Sequence, residues 1–347
     1  MTEGHPREKR PSKPGSPAGA PSPVAPPGSM THPASTVEPP VLEPEGAAGV
    51  EDLQREGLEV VALTQWQLAR RRFFRHKLAL GSLILLALIF LAGIAAPLLT
   101  DYKYDALDLP ASELGPTFKD NHYLGTDELG RDYFARILYG IRTTARVGLL
   151  VAFLSTMIGV VVGGLAGYYG VWVDNVLMRF TDLILTLPAL AVLLAAAAFI
   201  GSGSAYTVAL ILAGLFWTYL ARVVRGIFLS LKEKEYVEAA RSLGASDVRI
   251  MVRHLLPNSI GVIVVNATLT VATAILVEAF LSFLGFGIKP PTPALGVLIA
   301  DGTGRMLDLW WLVTFPGAMI VLICLCVNFI GDGLRDALDP TQGRVRA

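Results

Sequence analysis

Between residues 183 and 221 the chain carries no charged side chain at all. A helix rises 1.5 Å per residue and a bilayer core is about 30 Å thick, so about 20 apolar residues cross it once. The stretch approaches twice that length. Only Gly201-Ser202-Gly203-Ser204, near its middle, offers a turn. It therefore reads as two membrane spans. Four further runs, residues 78–99, 147–170, 255–277 and 309–330, are each long enough for one crossing. The expectation is an all-α integral membrane protein with six transmembrane helices. Composition agrees, because 53% of the 347 residues are hydrophobic and 17% are charged, against about a quarter charged in a soluble domain.

Outside the spans the sequence changes character several times. Twelve of the 22 prolines fall within residues 1–50, among Ala, Gly, Ser and scattered charges. Residues 1–60 hold too few large apolar side chains to offset the entropy of ordering, and are expected to form a disordered tail. No apolar segment follows the basic start, so the tail is not a signal peptide. Residues 61–77 place Trp66, Ala69, Phe73 and Phe74 on one side of a helix, with Arg70, Arg71, Arg72, Arg75 and Lys77 clustered among them. Such a helix lies on the membrane surface, in contact with lipid. Residues 78–146 then supply the first span and an external loop, and residues 147–342 the five-span core.

Charge sets the orientation. With the tail inside, the inner flanks hold 16 Lys and Arg and the outer segments eight, which places both termini in the cytoplasm. Basic and acidic residues number 29 each, so the chain offers no electrostatic basis for a nucleic-acid partner. Cys324 and Cys326 are two apart, on opposite sides of a helix, where a disulfide or metal pair is not expected.

The connection between the fourth and fifth spans, residues 231–259, is the inner loop with the most internal structure. It reads as helix, break, helix. The first helix runs to about Leu243 and stops at Gly244, which accepts the left-handed conformation that ends helices. Ser246 is placed to cap the second helix, Asp247 suits its positive N-terminal end, and Pro257 restricts its exit. Ala239 and Ala240 keep one face small enough for close approach by a partner.

Glu238-Ala239-Ala240, then Gly244, then Leu256-Pro257 resembles the EAA loop of the permeases of ABC importers, with His254 where that pattern has Ile. Other stretches resemble the C-type permease subunit of the dipeptide/oligopeptide branch. They are His122-Tyr123-Leu124-Gly125-Thr126-Asp127 with Gly130-Arg131-Asp132 and Tyr139-Gly140, Leu281 through Gly287, and Asn328 through Asp336 to Asp339-Pro340. The likeness covers residues 66–342. The segment 290–296 departs from it, with Ala294 and Leu295 where Ser-Trp is usual.

The resemblance implies a type I importer permease fold in which the loop forms a coupling helix seated in a separate ATP-hydrolysing subunit. Glu238, Ala239, Ala240, Gly244, Leu256 and Pro257 are then the ATPase-coupling residues. It also implies a homologous B-type permease, two ATP-binding subunits carrying ATP and Mg, and an extracytoplasmic peptide-binding protein. The chain itself is expected to hold no cofactor and to catalyse nothing. No phosphate-binding GxxxxGK[ST] loop occurs, and the five histidines match no metal spacing.

The cargo expected by resemblance is a di- or oligopeptide. A permease for nickel or another small solute shares these motifs. An ion-driven secondary transporter is the rival of a different class, and it predicts ionisable groups at the bilayer midplane. Glu278 is the one clear charge inside a span and the weak candidate for the substrate path, although it lies near the outer end, where an interhelical hydrogen bond is the better expectation. Asp127, Arg131 and Asp132 are expected to fold the entry to the second span through caps and pairs, and Pro188 to kink the third.

Overall fold

The computed structural model describes residues 65–118, 121–201 and 203–338. The proline-rich tail, Ser202 of the expected turn and Asp339-Pro340 lie outside the described residues, as does the side chain of Trp66. Secondary structure among the described residues is helical. The helices are α1 (Gln65–Arg75), α2 (Lys77–Ile94), α3 (Tyr133–Tyr169), α4 (Val171–Thr186), α5 (Ala189–Ile200), α6 (Ala205–Leu231), α7 (Glu235–Ser242), α8 (Asp247–Phe283), α9 (Leu295–Thr303) and α10 (Trp311–Leu338). Five of them, α2, α3, α6, α8 and α10, are long and apolar enough to cross a membrane. The pair α4 and α5, which meet at a 90° bend, is apolar enough in sum to count as a sixth crossing if the two helices form one broken span.

That bend replaces the single kinked third span expected from the sequence. Proline has no N–H and crowds the carbonyl four residues earlier, so a helix entering Pro188 must yield there. Leu187 leaves the helix with extended backbone angles, and α5 starts afresh at Ala189. The span also begins earlier than expected, because Gly170 (φ +66°) turns the chain at the end of α3 and α4 starts at once.

A second departure concerns the fifth span. Pro257 was expected to end a short helix, yet the chain runs through it as one helix from Asp247 to Phe283. One widened, π-type turn at Met251–Leu255 makes room, with the Leu256 N–H reaching back five residues to the Met251 carbonyl. Asn258 Nδ2 and Ser259 Oγ donate to the His254 and Leu255 carbonyls, at 2.6 and 2.8 Å. Both are side-chain bonds to carbonyls one turn back on the same helix, beside the widened turn.

Helices α3 and α6 run parallel at backbone contact. A Cβ built on Gly163 would overlap the Ala221 carbonyl oxygen, and one on Gly167 would lie 2.7 Å from the Arg225 oxygen. Lipid tails are as apolar as leucine, so close backbone packing is what holds membrane helices together. Apolar cores at three levels complete the bundle. One joins α2, α3, α8, α9 and α10, a second joins α3, α5, α6 and α8, and the third lies at the end that carries residues 232–256.

Candidate functional site

Helix α7 ends in a hydrogen-bonded pattern that accounts for the spacing of its motif. Gly244 N–H donates to the Arg241 carbonyl (2.9 Å) and Ala245 N–H to the Ala240 carbonyl (3.1 Å), with Gly244 at φ +80°. These are the two bonds of a Schellman cap, which needs the left-handed residue four positions after the acceptor at its far end. Ala240 and Gly244 occupy those positions. A side chain on Gly244 would meet open space, so conformation alone selects glycine there.

The loop is bolted to the bundle. Val237, Ile250 and Leu255 are fully buried and pack with Tyr168 of α3, with Leu220, Val224 and Phe228 of α6, and with Ile263 of α8. Burying each such side chain is worth about 1.5–3 kcal/mol. The Tyr168 hydroxyl donates to Asp247 Oδ1 at 2.7 Å, tying the end of α3 to the first turn of α8. Ser246 sits at the expected cap position, but its side chain makes no capping bond.

The opposite face is unpartnered. Tyr236, Ala239, Ala240 and Leu243 fall on one side of α7 at helical spacing; Leu243 is 88% exposed, and Val248 and Val252 of α8 are exposed as well. Glu238 is exposed and lines a polar pocket with Tyr168, Lys232, Glu233 and Arg241. Leu256 is half-buried and Pro257 exposed, so the two ends of the motif flank the buried anchor. Six candidate residues are thus brought to one protrusion, stiff inside and apolar outside.

Glu278 is placed elsewhere. It is fully buried, accepts from Ser282 Oγ (2.7 Å) and Thr144 Oγ1 (3.5 Å), and the same Thr144 oxygen receives the Leu295 N–H (3.2 Å). It therefore fastens α8 to α3 and to the segment leading into α9. At that same end, Asp132 caps α3 through the Ala135 N–H and accepts from or pairs with His122 Nδ1 at 2.9 Å. Asp127 bridges Arg131 (2.7 Å) and the buried Arg136 (2.6 Å).

Sequence reasoning missed Val237, Ile250 and Leu255 as anchors, although three aliphatic residues in a charged loop were a visible signal. It also missed the ion pairs of Asp174 with Arg225 and Asp182 with Arg222, which join α4 to α6.

Comparison with known proteins agrees with this architecture. Residues 159–344 match the family described as the binding-protein-dependent transport system inner membrane component. Residues 64–116 match the N-terminal TM domain of oligopeptide transport permease C. The chain is 43% identical over 277 residues to the oligopeptide transport system permease protein OppC of Mycobacterium tuberculosis H37Rv, covering 80% of this chain and 94% of that one. It is 42% identical over 285 residues to the protein of the same name from Escherichia coli K12, covering 82% and 94%. It is 41% identical over 285 residues to the dipeptide transport system permease protein DppC of Bacillus subtilis 168, covering 82% and 88%. With its bundle of five long apolar helices and one sharply bent pair, and its stiff loop between α6 and α8, the chain belongs to the family of binding-protein-dependent transport system inner membrane components, in the branch of C-type oligopeptide and dipeptide permeases.

Proposed function

We propose that this chain is one of two homologous permease subunits of an importer that moves di- or oligopeptides across the cytoplasmic membrane, driven by two separate ATP-binding subunits. Peptide is the cargo in the names of its relatives. Both termini and the protrusion at residues 231–259 lie in the cytoplasm on this reading, which the excess of Lys and Arg in those flanks supports. A binding protein outside delivers the peptide. ATP and Mg belong to the partner subunits, and this chain contributes no catalytic group.

The observation that carries the reading is the two-sided protrusion. Its inner side is locked by Val237, Ile250 and Leu255, and its outer side exposes Tyr236, Leu243, Val248 and Val252. A partner that grips the outer side moves α6 and α8 with it, because the buried side chains leave little slack between loop and spans. Closure of the paired ATPases then pulls two such loops together and turns the path from one side of the membrane to the other.

The test is copurification in mild detergent of this chain with the ATPase subunits encoded beside it. The wild-type chain is expected to retain them, and Leu243→Asp to lower their recovery at least tenfold while leaving membrane insertion intact. Recovery of no ATPase with the wild-type chain overturns the reading.

A further inference from the structure

A cavity of about 330 Å³ opens on the bundle where α4 and α5 break, bounded by α6 and α8. Its size falls within the range of small-ligand sites, about 300–1,000 Å³. Three observations converge on it. The first is depth. Asn266 and Thr273 lie 11 and 18 residues beyond Leu255, about 16 and 27 Å along α8, and Tyr219 lies near the middle of α6. The cavity thus runs from about mid-bilayer toward the end of α8 remote from the loop.

The second is chemistry. Asn266, Thr270 and Thr273 recur at i, i+4 and i+7 and share one face of α8, across from Thr218 and Tyr219 on α6. The three hydroxyls of Thr218, Thr270 and Thr273 spend their hydrogens on carbonyls of their own helices, at 2.9, 2.8 and 3.2 Å. Thr218 is buried, and the acceptor lone pairs turned outward are those of Thr270 and Thr273, which suit the N–H groups of a peptide. Every residue lining the cavity is uncharged.

The third is backbone. Leu187, Pro188 and Ala189 interrupt the span and are exposed at this depth. Non-helical backbone at membrane depth is tolerated only where protein covers it or water fills a cavity beside it. A lipid-facing surface is therefore excluded.

We infer that this cavity is this subunit's half of the peptide path, and that Tyr219, Asn266, Thr270 and Thr273 form a neutral polar track which passes peptides without selecting on side-chain charge. The inference rests on the importer reading above. Glu278 is no part of the track, being sealed behind α8 against α3. Asp182 and Arg222, each two residues from a lining residue on α4 and α6, pair with one another at 2.5 Å.

The experiment uses the whole complex, reconstituted in vesicles with its binding protein and ATP, and compares uptake of Ala-Lys-Ala and Ala-Glu-Ala. Thr273→Asp is expected to shift the ratio of the two rates at least tenfold toward the lysine peptide. Wild-type vesicles that import neither peptide overturn the importer reading itself. Wild-type uptake with an unchanged ratio in the variant overturns the track alone. If Thr273→Asp does not assemble, Asn266→Cys and Thr273→Cys decide the matter with a membrane-impermeant maleimide. Labelling of assembled complex, slowed by Ala-Lys-Ala with ATP, supports the track, whereas absence of labelling shows the face covered and overturns it. The native Cys324 and Cys326 are buried on α10 and serve as the background.

Discussion

The loop between α6 and α8 and the broken pair α4–α5 are both departures from plain membrane helix, and they are built in opposite ways. The loop is short, capped, and pinned by three fully buried aliphatic side chains and by the Tyr168–Asp247 hydrogen bond. The broken pair exposes Leu183, Leu187, Leu190 and Phe199, and α4 is held to α6 by two ion pairs, one of them half-exposed. Buried apolar contacts resist small displacements, because interiors are close-packed and tolerate few discrete arrangements. Half-exposed ion pairs give way cheaply. One chain thus sets a stiff element beside a loosely held one; on the proposed reading the first takes the push of a partner and the second borders the path.

The largest effect expected from breaking the stiff half is at Gly163. Its added Cβ would overlap the backbone carbonyl of Ala221, which has no rotamer to escape into. Gly163→Leu is expected to cost at least the upper end of the usual overpacking range of about 1–3 kcal/mol. Detergent-purified protein should lose its assembled complex, as read by size-exclusion chromatography. Assembly at wild-type yield would show that α3 and α6 do not depend on backbone contact.

Gly244→Val comes next. The site is open in space, so the penalty is conformational, about 1–2 kcal/mol or more for a β-branched residue at φ +80°. Insertion should survive and ATP-coupled uptake should be lost, while Gly244→Asn, which tolerates this conformation, should recover most of it. Equal uptake in all three proteins would dissociate coupling from the Schellman cap. Val237→Ala is milder. It removes two buried carbons worth about 0.8 kcal/mol each plus a cavity term, about 2 kcal/mol together. Thermal unfolding of the complex should shift downward, and uptake should fall severalfold with ATP hydrolysis retained.

What the sequence makes legible follows the same division. Span existence is an additive property of about 20 residues, so the six crossings are visible in runs such as 183–221. The EAA spacing is local too, since a Schellman cap relates residues only five apart, and Gly244 is readable as a helix end. Asp127, Arg131 and Asp132 act on partners within ten positions, and their roles as caps and pairs were equally open. The 90° bend at Pro188 and the continuous α8 through Pro257 were not. Both positions carry proline at the edge of an apolar run, yet one helix breaks and the other widens by a turn. The local side-chain donors Asn258 and Ser259 follow Pro257, and the tertiary difference is that Leu255 is anchored among residues of α3 and α6. The acceptor stripe at 266, 270 and 273 was present as helical spacing within an apolar span, but its significance depends on α6 and the broken pair lying opposite.

The smallest effect is the one that sharpens the contrast most. Asp182 and Arg222 are each about half-exposed on the side chain, so their 2.5 Å pair is worth about 0–1 kcal/mol after solvent screening. Asp174 is better sheltered, at 15% side-chain exposure, and takes two bonds from Arg225, and Phe180 stacks on Trp217, so α4 keeps other contacts with α6. Asp182→Asn is therefore expected to leave assembly unchanged and peptide uptake within twofold of wild type, with any change vanishing at high ionic strength. The Asp174→Asn protein should show a larger loss under the same assay, because its partner Arg225 sits where α3 and α6 touch and has no other carboxylate at bonding distance among the described residues. A tenfold loss from Asp182→Asn would mean that the broken span is held as rigidly as the loop. Motion would then have to reside in the α3–α6 contact, the place where backbone packing leaves least room for it.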